Sequence, residues 1–282
     1  MSPALFTTVP RGPVRHFSFE PNTAGMAGHY TVTAGARFIS GFLVTLSGFG
    51  NWNIGQNDLP QMETIRRSIF ITGGTGYLGR VLIPELLARG HEVHALTRPG
   101  SEKKLPGGCQ IVTGDALDGK SFADKIAPAD TFVQLVGVPH PNPAKAAQFR
   151  TIDFVSVRES AAAAAAAKVR HFIYLSVAQP APVMREYLAV RAEGEAMVRA
   201  HGLNATFVRP LYVLGPGHWW PYFVLPIFWL FELAPSKRAA ARRLKPVTLA
   251  QTLATLVHAV ENPADGIRIV EAEEMRRGRP LP

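Results

Sequence analysis

Four glycines crowd into seven positions at Gly73-Gly74-Thr75-Gly76-Tyr77-Leu78-Gly79. Glycine allows turns and close approaches that a Cβ forbids. Between a strand and a helix, such a turn presents unpaired N–H groups to a pyrophosphate. A tight turn without a ligand is the plain alternative. About 20 residues on, where proteins that prefer NAD place a carboxylate against the ribose 2′-hydroxyl, stand Thr97 and Arg98, and no acid occurs between His94 and Ser101. A guanidinium suits a 2′-phosphate, so NADP(H) is the expected cofactor and NAD(H) the second choice. Otherwise Arg98 is a solvated charge. Asp115, in Gly114-Asp115-Ala116-Leu117, is a candidate to accept from an adenine amino group or to cap a helix.

These residues need rigid elements to position them. Ser68 to Thr72 is a short apolar, β-branched run ahead of the glycines, and Leu78, Val81, Leu82, Leu86 and Leu87 after them share one helical face. Further strand-like runs lie at Glu92 to Leu96, Gln110 to Val112, Thr131 to Val136, His171 to Leu175 and Ala205 to Val208, with helical stretches between. That alternation predicts an α/β fold, a Rossmann-type doubly wound parallel sheet with helices on both faces. The alanine-rich stretch Ala161 to Ala167 precedes a strand and reads as a close-packed helix rather than a linker.

The chain's 282 residues allow one large domain or two small ones, and 47% apolar with 18% charged residues is a globular composition. The single cysteine, Cys109, excludes an internal disulfide framework and a multi-cysteine metal site, and His140, His218 and His258 have no metal-ligand spacing. A reducing, cytoplasmic compartment is expected. The net charge of +9 favours anionic partners such as phosphorylated cofactors or acidic lipid. Nucleic acid is not expected, because no helix-turn-helix or zinc pattern accompanies the basic residues. Residues 1–61 carry five charged side chains and no sustained periodicity, which predicts a poorly ordered extension. Met62 directly precedes the first patterned segment, so the extension also reads as a start-site artefact. Residues 62–282 are then one domain.

Together, the glycine turn, Gly114-Asp115, Leu135-Val136-Gly137, Tyr187-x-x-x-Arg191 and Arg209-Pro210-Leu211-Tyr212-Val213-Leu214-Gly215-Pro216 resemble the short-chain dehydrogenase/reductase superfamily. The resemblance is to its atypical and extended branch, with NmrA-like and nucleotide-sugar-epimerase-like proteins, over about Arg67 to Val270. It implies cofactor contacts at Gly73, Gly74, Thr75, Gly76, Tyr77, Leu78, Gly79, Arg98, Asp115, Ala116, Val136, Gly137 and Pro210. It also implies a catalytic tyrosine, matched by Tyr187, whose proton moves to or from the substrate. Where the family has a ribose-binding lysine four residues later, this chain has Arg191. The family's catalytic serine position falls on Val177, and Ser176 replaces it only if the strand end is bulged. The plain alternatives are a partly buried aromatic at Tyr187 and a surface charge paired with Glu195 at Arg191.

The resemblance places a small C-terminal substrate-side lobe at about 211–246. Its run from Trp219 to Phe231 holds three of the four tryptophans and no charge, and Lys237, Arg238, Arg242, Arg243 and Lys245 follow. That segment is expected to line a site for a small, apolar substrate, to fill a core, or to touch a membrane surface over 219–245. Two functions remain open. One is an oxidoreductase acting on a small or apolar carbonyl or alcohol, with Tyr187, Arg191 and Ser176 as candidate catalytic residues. The other is a non-catalytic dinucleotide-binding sensor or assembly factor.

Overall fold

The computed structural model describes residues 66–181, 184–217 and 225–278. The expectation for residues 1–61, and the tryptophans at 219 and 220, lie outside the described residues. β1 (Ser68–Thr72), β2 (Glu92–Thr97), β3 (Gln110–Thr113), β4 (Thr131–Gln134), β5 (His171–Leu175), β6 (Ala205–Arg209) and a later strand (Ile267–Glu271) form one sheet. Every pairing in it is parallel, and β1 lies between β2 and β4. With β3-β2-β1 on one side and β4-β5-β6 on the other, strand order reverses beside β1. In a doubly wound sheet this reversal opens a crevice at the carboxyl ends of the strands.

Alternation along the strands builds two cores. Ile69 and Ile71 point to the face covered by α1 (Gly79–Ala88), where Leu82, Ile83 and Leu86 meet them. The inward stripe of α1 is Gly79, Leu82, Ile83 and Leu86. Val81, expected on that face, is exposed, because the helix starts at Gly79 and its i, i+3, i+4, i+7 row runs through Ile83 instead.

Phe70 points to the other face. It stands in register with Phe132, and Phe132 with Phe172, their ring centroids 5.3 and 5.2 Å apart. Against this aromatic row lies a helical stretch that starts as α2 (Ala146–Gln148), widens into a π-helical turn (Phe149–Phe154) and continues as α3 (Val155–Ala166). Ala161 and Ala164 of α3 are fully buried there. The alanine run is thus a close-packed helix, small residues against large rings. α4 (Arg185–Ala200) lies beside α3.

Between β6 and the last strand lie two short parallel strands, β7 (Val213–Leu214) and β8 (Val247–Thr248), with α5 (Leu225–Leu233) and α6 (Pro235–Leu244) between them in sequence. α7 (Leu249–Glu261) begins with a capping box from Thr248 and Gln251. It leads to β9, the Ile267–Glu271 strand, and α8 (Ala272–Arg277). The last three strands were not apparent from periodicity, because two span only two residues and in Ile267–Glu271 the adjacent Ile269 and Val270 break the alternation after three residues. Among the described residues no helix is long and apolar enough to cross a membrane.

Candidate functional site

The glycine turn closes the crevice at β1. Gly73 has φ +79°, and a Cβ on it would sit 2.8 Å from the Leu135 carbonyl carbon and 2.9 Å from the Val136 nitrogen. Gly79 is confined as tightly, since a Cβ there would lie 2.5 Å from both the Gly73 oxygen and the Gly74 Cα. Gly73 and Gly79 therefore set the fold of the turn, while Gly76 is exposed, its N–H donating to the Gly73 carbonyl at 3.0 Å.

The first helical turn beyond has no side-chain cap and no acid, and Arg80 stands exposed within it. A cation at a helix N-terminus opposes the helix dipole unless an anion joins them. These residues fit a pyrophosphate. Arg80 was not singled out in the sequence, though it directly follows the last glycine of the turn.

At the end of β2, Thr97 is buried and Arg98 exposed. The next acid along the chain, Glu102, accepts the Gly100 N–H at 3.0 Å. Asp115 uses one carboxylate oxygen to accept the Leu117 N–H at 3.0 Å, in a local turn that leaves Ala116 half-buried beside it. Asp115 thus has a capping-type contact.

The end of β4 is held by Gln134. Its buried Oε1 accepts from the Thr72 hydroxyl and from the Val136 N–H at 3.0 Å, and its amide donates to Ser156 at 3.0 Å. Pro210, after β6, accepts from the Ala178 N–H at 3.2 Å and ties the ends of β5 and β6 together.

Arg191 is 4% exposed, so it is no surface charge. It donates to Asp153 at 2.6 Å, to the Leu175 carbonyl at 2.9 Å and weakly to the Tyr174 hydroxyl at 3.5 Å, with only Nε left without an acceptor. Its partner is thus Asp153, and the Glu195 pairing is corrected. Glu195 instead takes Arg209 and the Ser176 hydroxyl, the latter at 2.6 Å. Burial pushes the Asp153 carboxyl up, against the pull of Arg191. Burial also raises the Tyr174 phenol to about 12.

A Cβ on Gly137 would strike the Arg191 guanidinium. The glycine after β4 is therefore required by an arginine on α4. Arg191 in turn lies 5.1 Å from the centroid of the Tyr187 ring.

Ser176 is buried and its hydroxyl points into the Glu195–Arg209 network, while Val177 is 2% exposed. Tyr187 is half-buried, with its ring tilted on Phe149 at 5.0 Å. It borders a cleft of about 150 Å³ whose other walls include Pro143, Ala146, Phe149 and Met184. The structure thus brings Tyr187, Arg191 and Gly137 together with the glycine turn, through Leu135–Val136. The Ser176 hydroxyl is instead taken up by Glu195. Asp153 was not a sequence candidate, because its partner lies 38 positions away and nothing local marks it.

A reversing parallel sheet, a glycine turn at the reversal and an uncapped helix behind it define a Rossmann-type dinucleotide fold, like that of extended short-chain dehydrogenase/reductases. A family model described as NAD(P)H-binding matches residues 73–217, a little over half of the chain, and the protein belongs to that family. It is similar to a ceramide reductase of Caulobacter vibrioides, 29% identical over 224 residues, covering 75% of this chain and 66% of that protein. A ketoreductase of Stigmatella aurantiaca that acts on a farnesylated dihydroquinoline N-oxide is 26% identical over 168 residues, covering 52% of this chain and 50% of that one. The chain thus spans between half and two thirds of the length of these relatives. Among solved structures, the enzyme WbmH of Bordetella bronchiseptica in complex with NAD+ matches with a TM-score of 0.54 at 19% identity, over 73% of this chain and 75% of that one.

Proposed function

We propose that the protein is an NADP(H)-preferring reductase of an apolar carbonyl compound, with Tyr187 as the proton donor. The observation that carries this is Tyr187 at the rim of a largely apolar cleft, with its ring fixed by Phe149 and Arg191. The glycine turn, Arg80 and the start of α1 would hold the pyrophosphate, and Arg98 the 2′-phosphate. When bound, the dinucleotide supplies the hydride equivalent. Tyr187 donates its hydroxyl proton to the oxygen that becomes the alcohol. Arg191 does not touch the reacting atoms. It is a positioning residue, holding the Tyr187 ring and the backbone at Gly137 in fixed relation. The reductase names of the two relatives, and their lipid-like or farnesylated substrates, support an apolar carbonyl and the reducing direction. The proposed compartment is the cytoplasm.

The test is NADPH consumption against a panel of carbonyl compounds of increasing chain length, beside calorimetric titration with both dinucleotides. Turnover that rises with apolar length, and tighter binding of NADPH than NADH, is expected. Tight dinucleotide binding with no turnover on any carbonyl would favour a non-catalytic sensor, a reading that the withdrawn Ser176 and the sequestered Arg191 also support.

A further inference from the structure

Large exposed apolar side chains are sparse on the described surface, and they are not scattered evenly. Leu230, Phe231 and Leu233, at 65%, 39% and 75% exposure, fall within four positions of α5. Lone exposed hydrophobics are ordinary, but a cluster marks an interaction surface. α6 packs against α5 and carries Lys237, Arg238, Arg242 and Arg243, with Lys245 just beyond. Arg238 and Arg242, four residues apart and both exposed, share one face of that helix. Between Glu232 and Glu261 the chain contains no acid.

The pair of helices is fixed to the body of the protein. Arg243 donates to the Pro180 carbonyl at 2.9 Å, and Arg276 of α8 donates to the Lys245 carbonyl at 2.5 Å and to that of Arg242. α5 has nine residues, too few to span a bilayer but enough to lie in its interface.

We propose that α5 and α6 form a docking platform for an anionic lipid surface, with Leu230, Phe231 and Leu233 entering the headgroup region and the α6 cations facing lipid phosphates. Charge selects this occupant. A second copy would bring two cationic α6 helices together. The 1–61 segment, with Arg11, Arg15 and Arg37 against Glu20 and Asp58, offers no opposite charge. A nucleic acid would meet the cations but leave the leucines uncovered. The inference rests on this surface alone and not on the catalytic reading.

Flotation of the full chain with vesicles of phosphatidylcholine, alone or mixed with phosphatidylglycerol, tests it. Binding to the mixed vesicles only, weakened by added salt, is expected. The Leu230→Ser/Leu233→Ser pair and the Arg238→Glu/Arg242→Glu pair should each lower the bound fraction by roughly tenfold or more, while NADPH affinity stays unchanged. Three results would overturn the proposal. They are wild-type protein that ignores phosphatidylglycerol vesicles, binding that survives the serine pair and follows charge alone, and a concentration-dependent dimer abolished by the serine pair. The salt response of the wild type decides the matter even if a variant fails to fold.

Discussion

The phosphate turn and the Tyr187 quarter, linked through the Leu135–Gly137 loop, are built by opposite means. In the turn, Gly73 and Gly79 are required by backbone, Gly73 by the strand end at Leu135–Val136 and Gly79 by Gly73 and Gly74. Around Tyr187 the order comes from groups far apart in sequence: the Asp153 carboxylate from the π-helical turn, the Leu175 carbonyl from β5, the Gly137 backbone from the β4 loop and the Arg191 guanidinium from α4. A site made by local sterics is written as a motif. A site made by a buried ion pair is written nowhere in particular.

If the comparison is right, damage to the two regions should read out differently. Tyr187→Phe should lower turnover on a responsive carbonyl by roughly 10²- to 10⁴-fold, the range for losing a general acid, and leave NADPH affinity unchanged. Wild-type rates in that variant would remove the tyrosine from the chemistry.

Asp153→Ala should show itself in stability. It leaves a guanidinium buried without its counter-charge and should cost about 3–5 kcal/mol in a urea melt. Arg191→Lys should cost less, since an ammonium still meets Asp153. A near-neutral Asp153→Ala would mean that the pair does not hold the region together.

A smaller effect, outside both regions, calibrates the stability measurements. His171 is fully buried and hydrogen-bonded to Thr206 at 2.9 Å, and burial lowers its pKa to about 4. The unfolded chain takes up this proton below about pH 6.5, whereas the native state resists until about pH 4. The contribution is therefore complete above pH 6.5 and is lost as the pH falls through that window, amounting to roughly 3 kcal/mol. Urea melts across it should show a steeper loss in the wild type than in His171→Gln.

The smallest effects belong to the turn. Gly76→Ala, whose Cβ would meet only the Gly73 oxygen at 3.1 Å, should melt normally and bind NADPH more weakly. Arg98→Ala should erase roughly tenfold or more of the preference for NADPH over NADH, as expected for a charge-assisted contact of about 1.5–3 kcal/mol. Equal wild-type affinities for the two dinucleotides would contradict the assignment of Arg98.

The sheet was legible because β1, β2, β4, β5 and β6 are short apolar runs separated by helices, each long enough to show its period. β7 and β8 were not, since two residues carry no period. The turn was legible residue by residue. Tyr187 and Arg191 could be found by spacing, yet their environment could not. A four-residue interval says that two side chains share a helical face, and says nothing of Asp153 on another helix. Ser176 shows the same limit, because its direction depends on Glu195 and Arg209, 19 and 33 positions on.

The alanines of α3 also shape how the protein assembles. Alanine loses essentially no rotamer freedom on burial, while the opposing phenylalanines bring most of the apolar area. The side-chain part of the entropic cost of this layer therefore falls on the sheet's phenylalanines, and α3 adds only the cost of ordering its backbone. A larger side chain at Ala161 or Ala164 would therefore have to displace a ring of that row, since both alanines are fully buried against it.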